Sequence, residues 1–193
     1  CLDNAGRGRF SAVKLARLVK TKRYRLDPAK FIQDVSQELA RKVKWWSSNR
    51  PDWQLVLRAD GTSDIGIGRR ICHDHPGVQF MDYTKHLQVI RRDRKIPYGS
   101  NYHLTFSWSG ENKKECSEAL ALGYNVAVPF IHNIKAIRGL PTTWHPPEFM
   151  GYPVISGEND DLRFLDPAPA IVALRPKGRA VYDASGFVVR GDW

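Results

Sequence analysis

Apolar residues recur along this chain with two different periods. Over "SAVKLARLVKTKR", Ser11 to Arg23, Leu15, Leu18, Val19 and Lys22 share one helical face, and Lys14, Arg17 and Thr21 share another. That spacing predicts an amphipathic helix with Ser11 as its cap. A second helix is predicted from "LDPAKF", with Asp27 as N-cap and Pro28 at the first helical position. Its apolar stripe is Phe31, Ile32, Val35, Leu39 and Val43, and it ends near "WWSSNRP". From there the period shortens. Strands are expected at Gln54–Arg58, Val78–Tyr83, Tyr102–Ser107, Asn125–Phe130, Pro153–Ile155 and Ala170–Leu174. Helical segments near 65–73, 85–94 and 112–122 lie between several of them, the last opening at Asn112 and stopping at Gly123. The alternation predicts an α/β fold: a partial β/α barrel of about six mainly parallel strands, preceded by two basic helices. The stretch from His132 to Pro153, rich in Pro, Gly and aromatics, reads as a long ordered loop or lid.

Length and composition narrow this picture. The 193 residues suit one domain, residues 1–193, made of a basic helical segment (1–50) and a β/α core (51–193). The 42% apolar content supports a packed core and no apolar run is long enough to span a bilayer, so no membrane role is expected. Cys1, Cys72 and Cys116 are too few and too scattered for a disulfide framework, which points to a reducing, cytoplasmic setting. Because the first residue is Cys1, an N-terminally truncated fragment is expected.

The net charge of +10 is unevenly placed. Residues 1–50 hold 13 Lys and Arg against four acids, +9; residues 51–193 hold 17 against 16, +1. A local excess of this kind suits a polyanion, and Arg7, Arg9, Lys14, Arg17 and Lys20 are the candidate phosphate contacts for nucleic acid. A solvated helical surface is the plainer alternative.

Five strands run directly into polar clusters. "LVL" reaches Arg58, Asp60, Ser63 and Asp64; "VQFM" reaches Asp82, Thr84 and Lys85; "YHLTF" reaches Ser107 and Ser109; "PVI" reaches Asp160 and Asp161; "IVAL" reaches Arg175 and Lys177. In a parallel sheet these ends share one side, so the clusters are expected to converge on a pocket. Alternation in "YHLTFSWS" sets Tyr102, Leu104, Phe106 and Trp108 against covering helices and turns His103, Thr105, Ser107 and Ser109 inward, with Arg58, Asp60, Asp82 and Thr84 in the same inward phase. Asp60, Asp64 and Asp82, with Asp160 or Asp161, are a hard-oxygen set for a divalent cation, or else form ion pairs with Arg58, Lys85 and Arg175. Cys72, His73 and His75 have poor zinc spacing and precede a strand. "GIG", Gly66 to Gly68, offers a phosphate a helix N-terminus without the third glycine of a dinucleotide site. Cys116 sits in an ordinary helix and is read as inert.

"CLDNAGRGRF", "RADGTSDI", "VQFMDYTK", "NYHLTFSWS", "NVAVPF", "GYPVISGENDDLRFLDP" and "IVALRPKGRA", in that order, resemble the phage gene-product-88 family over nearly the whole chain. The resemblance implies a phage or plasmid protein in a bacterial host, without an established activity. It further implies a cysteine cluster just before Cys1, similar to the iron–sulfur loop of radical S-adenosylmethionine enzymes, with Cys1 as the last ligand. This chain lacks the upstream cysteines, so an iron–sulfur cluster and S-adenosylmethionine are implied for an intact protein only. Three readings follow: a radical S-adenosylmethionine-type enzyme when intact, a metal-dependent phosphoryl-transfer enzyme on nucleic acid, or a non-catalytic nucleic-acid-binding protein.

Overall fold

A computed structural model describes residues 6–132, 144–191 and 193. Among them are five α-helices and eight strands, a mixed α/β architecture. The helices are α1 (Ser11–Leu26), α2 (Pro28–Asn49), α3 (Ile67–Ile71), α4 (Leu87–Lys95) and α5 (Lys113–Ala121). The strands are β1 (Leu55–Leu57), β2 (Val78–Thr84), β3 (Tyr102–Ser107), β4 (Val126–His132), β5 (Glu148–Phe149), β6 (Tyr152–Ser156), β7 (Ile171–Leu174) and β8 (Val189–Gly191). Their order is β1-β2-β3-β4-β7-β6-β5, with β8 paired to β4, in a sheet that does not close. Registered pairs are parallel except β5 with β6. The six expected strands are all present. Their winding is not sequential, because β7 enters between β4 and β6.

β5 and β8 were not anticipated. Both are two or three residues long, too short to show a period of two. β5 lies inside the stretch expected to be a loop, where Glu148 pairs with Pro153 and Phe149 with Tyr152. The turn between them is Met150–Gly151, both at positive φ (56° and 79°), the pair of left-handed residues that a two-residue hairpin requires. Residues 133–143 of the expected lid lie outside the described residues.

The chain divides into two compact units. The first comprises the chain up to residue 82 together with 96–103, and the second comprises 83–95 with 104–193. In the first, α2 follows the expectation closely. Asp27 accepts a hydrogen bond from the Lys30 amide at 2.9 Å and Pro28 occupies the first turn. Phe31 and Leu39 are buried, and Ile32, Val35 and Val43 half-buried. α1 does not follow it. Phe10 rather than Ser11 stands at its N-cap, without a side-chain cap. Its expected apolar face is turned outward, with Leu15 61% and Leu18 65% exposed. The half-buried positions are Val13, Arg17 and Tyr24, and Tyr24 meets Phe31 of α2 edge-on. An aromatic contact at the α1–α2 corner therefore orients the helix differently from its aliphatic stripe. Ile71, Cys72, Val78, Phe80 and Tyr102 fill the rest of this unit's interior.

The second unit is centred on β4 and β7, where Val126, Val128, Phe130, Ile171 and Val172 are fully buried. Leu104, Phe106, Ala119 and Leu120 complete it from β3 and α5. Continuous apolar runs are expected of parallel strands covered on both faces. Among the described residues, no helix is long and apolar enough to cross a membrane.

Candidate functional site

The polar cluster after β1 is a built structure. The Asp60 amide donates to Asp82 Oδ1 at 2.9 Å. The Asp60 carboxylate accepts from Ser63 Oγ at 2.6 Å and from the Ile67 amide at 2.8 Å. Tyr102 Oη donates to Asp82 Oδ2 at 3.2 Å. Asp60 is thus the anion that satisfies the start of α3, the place where the "GIG" reading had put a phosphate. Gly68 serves another end: a Cβ there would lie 2.5 Å from Asp82 Oδ2 and 3.0 Å from the Tyr102 ring. Its missing side chain lets α3 approach the carboxylate.

This arrangement corrects the expected strand phase. The Phe80 amide donates to the Asn101 carbonyl, which sets Phe80 beside Tyr102 in a parallel ladder. Asp82, two residues on, then shares the face of Tyr102 and Leu104, the side that α3 packs against, and leaves the His103 and Thr105 face. Residue 82 is polar on an apolar face, so alternation read along one strand assigned it to the wrong side.

Burial decides Asp82's chemistry. The side chain is 3% exposed, and loss of water pushes its acid from an ordinary 3.8 up to about 7. The Asp60 amide opposes this, the Asp60 charge adds to it, and Tyr102 and Arg58 oppose it further. Burial, with the Asp82 charge behind it, also raises the Tyr102 phenol.

The remaining strand-end candidates belong to the second unit, and each has local work. Thr84 Oγ1 accepts from the His86 amide at 3.0 Å. Lys85 Nζ sits 5.7 Å from the Phe187 ring centre. Asn112 Nδ2 donates to the Ser107 carbonyl at 3.0 Å, and the Ser109 amide donates to Asn112 Oδ1 at 2.8 Å. Asn112 stands at the N-cap position of α5 as the sequence suggested, but its carboxamide braces the preceding loop rather than a helix amide. Asp160 Oδ1 accepts from the Leu162 amide at 2.8 Å, and its carbonyl accepts from buried Arg163. Arg163 Nη1 pairs with Asp166 at 3.0 Å, beneath a Gly157 whose Cβ would meet that nitrogen at 2.7 Å. The Arg175 amide donates to Glu158 Oε1 at 2.9 Å while its guanidinium stacks 4.9 Å over Trp144, and Lys177 lies 3.7 Å from Glu158 Oε2. Arg58, Asp60, Ser63 and Asp82 are therefore together in one unit. Asp160 joins Arg163, and Arg175 joins Lys177, in separate groups of the other. Asp64 is half-buried in the first unit.

No group of three or more His, Cys, Asp or Glu able to hold a metal ion occurs among the described residues. The Cys72 thiol is buried and donates to the Tyr98 carbonyl at 3.2 Å, and Ser36 Oγ lies 2.8 Å from His75 Nε2. Asn101 Nδ2 reaches the carbonyls of Cys72, His75 and Val78 at 2.9–3.1 Å, fixing this segment at the start of β2. Cys116 is buried and its thiol is pushed up to about 12, which suppresses the thiolate. Cys1 lies outside the described residues, as does the side chain of Arg7. Among the described residues, Cys72 and Cys116 are both buried and each thiol is taken up by a local hydrogen bond, so neither is placed to hold an iron–sulfur cluster.

The first unit is rich in cations along α1. α1 carries Lys14, Arg17, Lys20, Lys22, Arg23 and Arg25, no acid, and no buried residue. Arg9, Lys14 and Lys20 are exposed and Arg17 is half-buried. Arg23 and Lys30 both pair with Asp34 of α2, at 3.0 Å for Arg23. At the far end of α2, Trp45 and Trp46 meet edge-on (5.2 Å, 87°), and Trp46 stacks on Trp53 (5.7 Å, 23°). These tryptophans were passed over in the sequence as a helix end. The signal available was "RKVKWW", cations at three and four residues from paired aromatics.

No curated protein and no solved structure matches the chain. A family model, Gene product 88, matches residues 1–191. Spanning nearly every residue, from the basic helices through both packed units, that match places the chain in the gene product 88 family.

Proposed function

We propose that the basic helical face of this family member binds nucleic acid, with Arg9, Lys14, Arg17 and Lys20 as phosphate contacts and Arg7 as a further one. One observation carries the reading: α1 has six cations, no acid and no buried side chain. A helix with six cations and no acid presents a net positive surface to a polyanion, and phosphate neutralisation supplies most sequence-independent affinity. Asp60 and Asp82 already serve the protein's own amides and hydroxyls. A metal-dependent phosphoryl transfer therefore has no free ligand set among the described residues.

Binding of labelled single-stranded and duplex oligonucleotides across salt concentrations tests this. Log affinity should fall with log salt at about −0.7 per contact on single strands and −0.9 on duplex. Replacing Arg17 and Lys20 with Ala should flatten the slope by roughly one to two units. Replacing Lys113 and Lys114 on α5, both exposed, is the control. An equal loss from that pair would mean bulk charge alone and overturn the site.

A further inference from the structure

The C-terminal end of α2 carries a feature that the phosphate contacts do not use. Glu38, Arg41, Lys42, Trp45 and Trp46 line a groove of about 570 Å³. Residues 38, 41, 42 and 45 recur at three and four, so they share one face of the helix. That volume is in the range of roughly 300–1,000 Å³ typical of small-ligand sites. Trp53, stacked on Trp46, is 66% exposed, and Trp45 is 53% exposed. Indole surface left in water is costly, and three adjoining tryptophans form a continuous patch. Arg41 and Lys42 make no ion pair among the described residues. From Glu38 to Trp53 there are four cations, Arg41, Lys42, Lys44 and Arg50, against two acids, Glu38 and Asp52.

We infer that this groove, together with the exposed Trp53 ring stacked on Trp46 beside it, is a base-stacking site for single-stranded nucleic acid, in which unpaired bases lie against Trp45 and Trp53 while Arg41 and Lys42 meet the phosphates. The inference rests on the nucleic-acid reading above and adds the strand state to it. Aromatic faces interleaved with cations match an anionic backbone that alternates with flat π-systems. A duplex offers no such face, because its bases are already stacked on one another. An anionic membrane is the competing occupant for Trp and Lys together. The concave shape and a lining without aliphatic residues suit an inserted base better than a lipid surface.

The test uses the full chain, a labelled 20-mer of thymidine, a duplex of equal length, and phosphatidylserine–phosphatidylcholine vesicles. Trp45→Ala and Trp53→Ala should each weaken single-strand binding by about 5- to 100-fold. Duplex binding should change less than twofold, and Trp45→Phe should retain most of the affinity. Unfolding midpoints matching the parent chain would show that the Ala variants are folded, and Trp45→Leu and Trp53→Leu, which keep apolar bulk without an aromatic face, serve the same test if they are not. Unchanged single-strand affinity in the folded variants that remove the aromatic face overturns the inference. If Arg17 and Lys20 still govern the salt slope in that case, the phosphate reading survives without it. Equal weakening of duplex binding overturns the inference too, since stacking is denied to paired bases. Vesicle binding lost with the tryptophans, without oligonucleotide binding, overturns both readings.

Discussion

Two regions of the first unit, the Asp60–Asp82 cluster and the Trp45–Trp53 groove, divide polar and aromatic residues in opposite ways. In the cluster, charged groups are taken out of water and each polar atom named is met by another: amide by carboxylate, carboxylate by hydroxyl. In the groove, large apolar rings and unpaired cations are left in water. Burying a carboxylate costs several kcal/mol unless it is hydrogen-bonded, so the cluster explains itself as structure. Nothing in the fold explains the groove. Dense polar chemistry in a sequence is therefore a weaker guide to function than apolar chemistry that the fold declines to bury.

The largest expected effect breaks the comparison through pH. Asp82 holds its proton to about pH 7 when folded and only to the ordinary carboxylate range when unfolded. The folded state thus binds more protons between about pH 4 and 7, and stability should fall as pH rises through that window, by up to roughly 4 kcal/mol. Asp166, raised by burial, adds to the slope with the same sign, whereas Asp34, Glu118 and Asp183 are shifted the other way by their partners and act only as pH falls below that window. Urea unfolding of Asp82→Asn should show most of the slope between pH 4 and 7 abolished. A slope equal to the parent's would remove Asp82 as its source.

Asp82→Ala should cost about 2–4 kcal/mol, because it orphans the Asp60 amide and the Tyr102 hydroxyl. Trp45→Ala should cost less than about 1 kcal/mol, since the ring is half exposed. Equal losses in chemical denaturation would erase the contrast between the two regions.

Gly68→Ala should cost roughly 1–3 kcal/mol, as its methyl would lie 2.5 Å from the Asp82 carboxylate. The pair Gly68→Ala with Asp82→Ala should fall well short of the sum of the single losses, because one change removes the atom that the other collides with. Additivity would place the strain elsewhere.

Arg175→Lys should have the smallest effect, about 0.5–1 kcal/mol, by losing the planar stack on Trp144 while keeping the charge. Near-ultraviolet circular dichroism should report the altered indole environment, and an unchanged spectrum would show that the stack does not persist in solution.

Much of this was legible beforehand where the determinant is local. Asp27 and Pro28 begin α2 because a cap needs only its own next three amides. Six strands were found because a run of apolar residues of the right length suffices. Site residues fared differently. Asp60, Ser63 and Asp82 were named together for their proximity to strand ends, and the structure does join them. Asp82's face was misread, and the close fit of Gly68 against Asp82 had no signature beside the weak phosphate signal of Gly66–Gly68, because both depend on a helix that packs against the strand. Trp45 and Trp53 were missed because exposure of a helix's end and of the loop after it has no signature in periodicity.

By itself the sequence determined the order of helices and strands, the parallel class of the sheet, and the concentration of charge in residues 1–50. Each depends on neighbours within a few residues or on a sum over a segment. Tertiary structure alone decided that β7 enters between β4 and β6, that α1 turns Leu15 and Leu18 to solvent, and that Asp82 meets Tyr102 and Gly68. A strand's period of two tells which side chains share a face, and a helix's period of 3.6 tells which share a stripe. Neither period says what will cover that face, because the covering element comes from elsewhere in the chain, and only its arrival sets which polar group is buried and which aromatic is left in water.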